Sequence, residues 1–71
     1  MMKKTIYIDG MSCHHCVMHV TRALEALQGI QSVHVELEQG IAQVELSQDV
    51  ADQQFIEAIE DVGYRVTKIE G

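Results

Sequence analysis

The sequence predicts an α+β protein with the ferredoxin-like order β-α-β-β-α-β, in which two helices cover one face of a four-stranded antiparallel sheet. Three observations lead to this prediction: four segments alternate apolar and polar residues, two longer segments space apolar residues as a helix does, and Gly29 and Gly63 each follow one of the helical segments. The two halves of the chain thus repeat the order strand, helix, glycine, strand. Right-handed crossovers leave few other topologies for this order, and a length of 71 residues allows one domain, which we assign to residues 1–71.

The first half begins with a strand over residues 5–9, in which isoleucines alternate with polar neighbours. A loop over residues 10–12 follows, and Ser12 in this loop is suited to cap the next helix. That helix is predicted over residues 14–28. Its apolar face consists of residues spaced three and four apart: Val17, Val20, Leu24 and Leu27.

An antiparallel hairpin follows the first helix. Residues 33–37 and 42–46 each alternate apolar and polar side chains, and the short segment 38–40 between them contains a glycine. The polar residues of the two strands are expected to face water: His34, Glu36, Gln43 and Glu45.

The second helix is predicted over residues 50–62, with Asp49 as its cap. Its apolar face consists of Phe55, Ala58, Ile59 and Val62. A last strand is predicted over residues 64–69, where Val66 and Ile69 are the clearer apolar positions. Its alternation is the least regular of the four strands.

The composition restricts the classes of function. The formal net charge of −6 disfavours nucleic-acid binding, because phosphate backbones repel an acidic chain. No stretch approaches the roughly 18 apolar residues of a membrane span, and no apolar run of signal length follows the first residues. We therefore expect a cytoplasmic protein that is not itself in the membrane, although a domain excised from a longer chain would have the same sequence.

The segment between the first strand and the first helix carries the candidate chemistry. Cys13 and Cys16 are the two cysteines of the chain, and in a reducing compartment the spacing Cys-x-x-Cys indicates metal binding or redox chemistry. The partial positive charge and free N–H groups at a helix start favour thiolate over thiol. Because thiolates are the metal-binding form, we expect both cysteines to bind an ion at neutral pH. Burial of both thiols in the core is the less favoured alternative.

A dithiol site of this kind is best suited to Cu(I). Soft thiolates select Cu(I), with Zn(II), Cd(II) and Hg(II) as competitors, and two ligands suffice for Cu(I). A structural zinc site needs four ligands, and His14, His15 and His19 are not spaced to wrap around an ion and complete such a closed site. An open two-ligand site also admits an incoming thiolate, so the ion can pass to a partner by ligand exchange.

The segment Gly-Met-Ser-Cys-x-x-Cys at the first strand–helix junction, in a β-α-β-β-α-β chain of this length, resembles the heavy-metal-associated domain family. The similarity covers nearly the whole chain and includes Val17 and the segment 60–64, Glu-Asp-Val-Gly-Tyr. The chain is most similar to bacterial copper chaperones and to the N-terminal metal-binding domains of copper-transporting P-type ATPases. The resemblance implies that Cys13 and Cys16 bind Cu(I) and that the chain delivers it to a like-folded domain of such an ATPase.

The resemblance also implies roles for residues around the dithiol. Met11 is expected to pack under the metal loop rather than to bind metal. Tyr64 is expected to lie close to the loop and to shield the ion, with core packing of the ring and a hydroxyl at the surface as the alternative. Zinc-type members of the family often carry an acidic residue directly before the first cysteine. Ser12 occupies that place here, which favours copper.

Other side chains near the dithiol are open to more than one interpretation. His15 directly precedes Cys16, and it either tunes the thiolates through its charge or a hydrogen bond or is simply exposed. Exposure is the simpler interpretation for His14 and His19. Met18 points away from the apolar face beside the site, where it could help a partner to dock, although single exposed apolar residues are common.

Two other functions fit the same motif. A thiol–disulfide oxidoreductase also places Cys-x-x-Cys at a helix start, but thioredoxin-like folds carry a cis-proline opposite the motif and this chain has no proline. A Zn(II)- or Cd(II)-handling module, or the metal-binding domain of a transporter, would have nearly the same site. We expect a carrier rather than an enzyme. A metal-linked homodimer, in which two exposed dithiols share copper, is a further arrangement that the site allows.

Overall fold

The computed structural model describes residues 2–71 and contains four strands and two helices. In chain order they are β1 (Met2–Asp9), α1 (His14–Glu25), β2 (Ile30–Glu36), β3 (Ile41–Leu46), α2 (Asp52–Asp61) and β4 (Arg65–Glu70). The strands form one sheet in the order β2-β3-β1-β4, and all neighbours are antiparallel. The predicted fold class is confirmed. Neither helix within the described residues is long and apolar enough to cross a membrane.

The hydrophobic core lies between the two helices and the inner face of the sheet. Its largest fully buried side chains are Ile6, Val20, Leu24, Val44, Leu46, Phe55 and Ile59. Burial of one such side chain contributes roughly 1.5–3 kcal/mol to stability. Since a domain of this size has a small stability margin, the loss of a single core side chain removes a large part of it.

The turn between β2 and β3 is held against the end of β1. The backbone N–H of Ile8 donates to the carbonyl of Gly40, with 2.7 Å between nitrogen and oxygen. Gly40 has a φ of +66°, and a Cβ at this position would lie 3.1 Å from the carbonyl oxygen of Ile8. Glycine therefore suits this position for two reasons: it adopts the positive φ readily, and it leaves room for the Ile8 carbonyl oxygen. The turn supports the end of β1, where the cysteine loop begins.

Two element boundaries differ from the sequence prediction. Strand β1 begins at Met2 rather than at residue 5, because its first residues pair with β3, beginning with Met2 opposite Leu46. Helix α1 ends at Glu25 rather than at residue 28, because its last turn tightens: the N–H of Leu27 donates to the carbonyl of Leu24 over 3.1 Å.

Both predicted helix caps are wrong. The N-cap of α1 is Cys13 rather than Ser12, and the N-cap of α2 is Ala51 rather than Asp49; neither cap residue makes a side-chain capping hydrogen bond. Helix α2 begins late because Val50, which is 4% exposed, first packs into the core from the segment before the helix. Tertiary packing, rather than local capping, sets this helix start.

The two ends of α2 differ in their contacts with the rest of the fold. At its start, the Lys4 Nζ lies 2.7 Å from an Asp52 carboxylate oxygen and 5.7 Å from the ring centroid of Phe55. At its end, Val62 is the C-cap residue and is 37% exposed. The prediction that Val62 belongs to the buried face is therefore wrong, because the helix ends before the apolar spacing does.

Strand β4 is irregular, as its weak alternation indicated. Lys68 stands opposite Tyr7 and Val66 stands opposite Ile8, so Thr67 is an extra residue and forms a bulge. The Thr67 hydroxyl donates to the carbonyl of Tyr7 over 3.3 Å. The bulge lets two apolar residues spaced three apart in this strand pack against the core.

The outer face of the sheet is polar, as predicted for the hairpin. His34 and Gln43 are exposed, and Glu36 and Glu45 are partly exposed. The His34 Nε2 lies 3.1 Å from a Glu36 carboxylate oxygen.

Replacement of Phe55 by alanine tests the contribution of the core. Because the side chain is fully buried, we expect Phe55→Ala to lower the free energy of unfolding by about 3–5 kcal/mol. Chemical denaturation followed by circular dichroism measures this change. Gln53→Ala on the exposed side of the same helix is the matched control and should change the free energy by at most about 0.5 kcal/mol. Equal effects of the two substitutions would contradict the described core.

Candidate metal centre

The cysteine loop connects β1 to α1 and turns sharply at Gly10. This glycine has a φ of +99°, a conformation that residues with a Cβ rarely adopt. The Tyr64 ring lies against it, and a Cβ on Gly10 would be 3.6 Å from the tyrosine Cδ1. The loop therefore packs against an aromatic side chain from the segment that precedes β4.

The two cysteines differ in exposure. Cys16 lies in the first turn of α1, on the same side as Val20, and is 8% exposed, whereas Cys13 at the N-cap is exposed. The backbone N–H of Cys16 donates to the carbonyl of Cys13 over 3.0 Å, so the first helical turn sets their relative position. One sulfur is thus held at the edge of the core while the other faces solvent.

The two sulfur atoms converge. Their separation is 3.2 Å and both cysteines are free thiols. An ion held in line between them would need a separation of about 4.6 Å if each metal–sulfur bond is about 2.3 Å, as it is for zinc. Since Cys16 is packed against the core, the exposed Cys13 side chain is the one that can rotate outward to accept an ion.

The Cys16 thiol is acidified by hydrogen bonds. The Tyr64 hydroxyl lowers its pKa most, the backbone N–H of Ser12 and the Cys13 side chain lower it further, and burial opposes them, so that the pKa falls from 9.0 to about 6. At neutral pH, Cys16 is therefore largely a thiolate, the form that binds metals. The sequence predicted acidification by the start of a helix, but it did not indicate that a tyrosine hydroxyl would be the largest cause.

Tyr64 serves both the site and the core. Its side chain is half-buried and packs against the core cluster. The interaction of its hydroxyl with the Cys16 sulfur raises the pKa of Tyr64 to about 12. The ring therefore packs against the core, as one interpretation from the sequence had it, while the hydroxyl acts on the Cys16 sulfur. Shielding of a bound ion stays a prediction.

The other residues considered from the sequence occupy distinct places around the loop. Met11 is half-buried and packs against the core; that it supports the metal loop rather than binding metal stays a prediction. Ser12 is exposed, and its contribution to the site is its backbone N–H. His15 is exposed, and within residues 2–71 no hydrogen bond joins its imidazole to either sulfur. Three neighbouring side chains are exposed, as expected from the sequence: His14, Met18 and His19.

Carboxylates flank the cysteine loop on two sides, which the sequence analysis missed. Asp9 and Glu60, together with Arg65, line a shallow depression on one side. Glu36 and Glu38 line a depression on the other side. The carboxylates come from three separate parts of the chain, so no local motif indicates that they lie near the loop. The net charge of −6 was the available signal in the sequence.

The dithiol offers two protein ligands. In the part of the chain that the structure describes, no three or more side chains of His, Cys, Asp or Glu are placed to hold one ion. A structural zinc site usually needs four such ligands. The arrangement therefore suits a soft ion that accepts low coordination, and its exposed side remains accessible to a further ligand.

Comparisons with known proteins agree with this description. Residues 5–65 match the sequence pattern of the heavy-metal-associated domain. Over 69 residues the chain is 44% identical to the copper chaperone CopZ of Bacillus subtilis, an alignment that covers 96% of this chain and 100% of that protein. Over 67 residues it is 40% identical to copper-transporting ATPase 2 of Rattus norvegicus, covering 93% of this chain and 5% of the ATPase. A solved structure of a CopZ metallochaperone is similar with a TM-score of 0.86 and 39% identity, over 93% of this chain and 100% of that one.

Substitution of Tyr64 by phenylalanine tests the acidification of Cys16. Loss of the hydroxyl should raise the pKa of Cys16 from about 6 towards its usual value of 9.0. The ultraviolet absorbance of the thiolate, recorded against pH, gives the midpoint. Tyr7→Phe is the matched control, because the Tyr7 hydroxyl donates to Glu70 on the outer face. An unchanged midpoint in Tyr64→Phe would contradict the assignment.

The same pKa predicts a pH dependence of stability. A thiol whose pKa is lowered in the folded state stabilises the fold above its unfolded-state pKa, and that contribution is lost as the pH falls through about 6. We therefore expect the metal-free reduced protein to lose thermal stability between pH 9.0 and pH 6, and Tyr64→Phe to lose less over the same range. Thermal unfolding at a series of pH values measures both, and parallel curves for the two proteins would argue against the linkage.

Proposed function

This chain belongs to the heavy-metal-associated domain family, and we propose that it is a cytoplasmic carrier of Cu(I). The observation that carries the proposal is the pair of sulfurs 3.2 Å apart at an exposed helix start. The lowered pKa of the Cys16 thiol, about 6, supports it. Similarity over nearly the full length to a copper chaperone supports copper as the cargo. Two thiolates suit Cu(I), and Zn(II), Cd(II) and Hg(II) compete for the same sulfurs. A structural zinc site would need more protein ligands than the two offered here.

The residues of the site have different roles in binding the ion. Cys16 supplies the shielded thiolate, and Cys13 supplies the exposed thiolate that moves to complete the coordination. Tyr64 stabilises the negative charge on the Cys16 sulfur through its hydroxyl and covers the loop with its ring. Met11 supports the loop from the core side. This division lets the site bind an ion while one ligand stays exchangeable.

Transfer proceeds by exchange of thiolate ligands. A thiolate of the partner approaches from the exposed side of Cys13 and forms a bond to Cu(I). The bond to Cys13 then breaks, and a second exchange replaces Cys16. Each step substitutes one thiolate for another, so the number of metal–sulfur bonds and the charge of the coordination shell return to their starting values. The ion is never released to water.

The recipient in this proposal is a metal-binding domain of a copper-transporting P-type ATPase. A segment of one such ATPase is 40% identical to this chain, so donor and acceptor would present similar sites. Similar sites have similar affinities for copper, so the exchange between them is reversible. Transport of copper by the ATPase then removes the product and sets the direction of transfer. A homodimer that shares copper between two dithiols would use the same exposed side of Cys13.

The same similarity favours a second candidate function. A domain of this sequence attached to a transporter would receive copper rather than deliver it. The site chemistry would be identical, and the direction of transfer would be set by the covalent attachment.

Anaerobic native mass spectrometry tests the cargo. We expect the reduced protein, offered Cu(I) and Zn(II) together in the presence of excess glutathione, to retain one copper per chain. The Cys13→Ser/Cys16→Ser variant should retain none at this site. Retention of zinc instead of copper would move the assignment to zinc handling, and turnover with thioredoxin or glutaredoxin partners would favour an oxidoreductase.

A transfer assay tests the direct exchange. The copper-loaded chain is mixed with an ATPase metal-binding domain and an excess of a Cu(I) chelator too large to enter the site. We expect copper to reach the domain faster than it reaches the chelator, because exchange avoids the slow release of the free ion. A domain whose own cysteines are replaced by serine is the control and should leave the rate at that of the chelator alone. Equal rates with the intact domain would contradict direct exchange.

A further inference from the structure

A pair of histidines lies on the exposed side of α1, one turn apart. His15 and His19 both belong to the helix and both are exposed. Within residues 2–71 neither imidazole takes part in a hydrogen bond or an ion pair, in contrast to His34, which pairs with Glu36. The proposed carrier function makes no use of His19.

The spacing suits chelation of a metal ion. Residues four apart on a helix have Cβ atoms about 5–6 Å apart and lie on one face. Two histidines at this spacing are the helical metal-binding pair of zinc proteases, where both imidazoles reach one ion. His15 and Cys16 are consecutive and therefore point about 100° apart around the helix. His19 lies three residues after Cys16, so the pair lies beside the face that carries the Cys16 sulfur, turned from it by roughly 60–100°.

The groove between the two helices lies towards the C-terminal end of α1 from the histidine pair. Ala23 lies one turn beyond His19 on the same side, and it lines the groove between the helices together with Asp61. Asp61 is the last residue of α2, where the helix end carries a partial negative charge. His14, by contrast, lines a different depression on the β2 side.

We propose that His15 and His19 form a second metal site, which takes a borderline divalent cation: Cu(II), Ni(II) or Zn(II). Imidazole nitrogens suit these ions, and the order of affinity among them places Cu(II) first. Two imidazoles leave the remaining positions to water, since no third His, Cys, Asp or Glu in the described residues is placed to complete the shell. The helix start would then carry a soft dithiolate site and, beside it, a borderline imidazole site.

Cu(II) alone, added to the Cys13→Ser/Cys16→Ser variant, tests the site without interference from the thiols, which Cu(II) would oxidise. We expect one Cu(II) per chain, nitrogen hyperfine structure in its electron paramagnetic resonance spectrum, and broadening of amide signals centred on residues 15–19. His19→Gln in this background should weaken binding by roughly tenfold or more, because a chelating pair gains from the effective concentration of its second ligand. The neighbouring exposed histidine gives the matched control, and His14→Gln should leave the affinity within about twofold.

The wild-type protein gives an independent measurement that does not depend on folding of the double variant. With the dithiol first loaded with Cu(I), Zn(II) is titrated and the imidazole proton signals are followed by NMR. We expect the His15 and His19 signals to shift together with one binding constant while those of His14 and His34 stay in place. A loss of affinity in His14→Gln equal to that in His19→Gln, or broadening centred elsewhere, would overturn the proposal. So would the absence of divalent binding in both experiments, and neither result would bear on Cu(I) carriage.

Discussion

The packing of α1 onto the sheet holds one of the two sulfurs in place, and the rest of the site is arranged around that point. Val20 and Leu24 are completely buried, and they continue the face on which Cys16 lies one turn earlier. A displacement of Cys16 would therefore disturb buried side chains, whose individual loss costs about 2–5 kcal/mol. Cys13 has no such attachment and can adjust. A site with one fixed and one movable ligand can hold an ion and still admit an incoming ligand.

Nearby carboxylates and hydrogen-bond donors have opposite effects on the pKa of Cys16, and the donors dominate. Carboxylates such as Asp9 and Glu36 line depressions on either side of the loop and by themselves would raise a thiol pKa. The pKa of Cys16 is nevertheless lowered to about 6, because Tyr64 and Ser12 donate hydrogen bonds at contact. The carboxylates face water, where charge–charge interactions are screened. Their effect is instead on what approaches from solution, since a negative rim attracts cations and basic protein surfaces.

Local patterns in the sequence correctly predicted the strands and helices. They did not predict the features that depend on contacts between distant parts of the chain. Alternation in the strands and the apolar spacing of α1 predicted the element order, because one face of each element must be buried. Ser12 and Asp49 are good capping residues, yet neither caps a helix. At α2 the reason is that the chain enters the helix through the buried Val50. The cysteine pair was visible as a motif. The hydrogen bond from Tyr64 to Cys16 was not, because it joins residues at opposite ends of the chain.

That same long-range hydrogen bond ties the acidity of the site to the integrity of an edge of the sheet. Tyr64 directly precedes β4, which is an edge strand, pairs with β1 alone and contains a bulge. Edge strands with irregular pairing belong to the less stable parts of a fold. If β4 separates from β1, the Cys16 thiolate loses its strongest hydrogen-bond donor and its pKa rises. By linkage, whatever stabilises the thiolate must also stabilise the docked strand by the same free energy. The acidity of Cys16 therefore depends on the docking of the last strand as well as on the first loop, because Tyr64 contacts that loop.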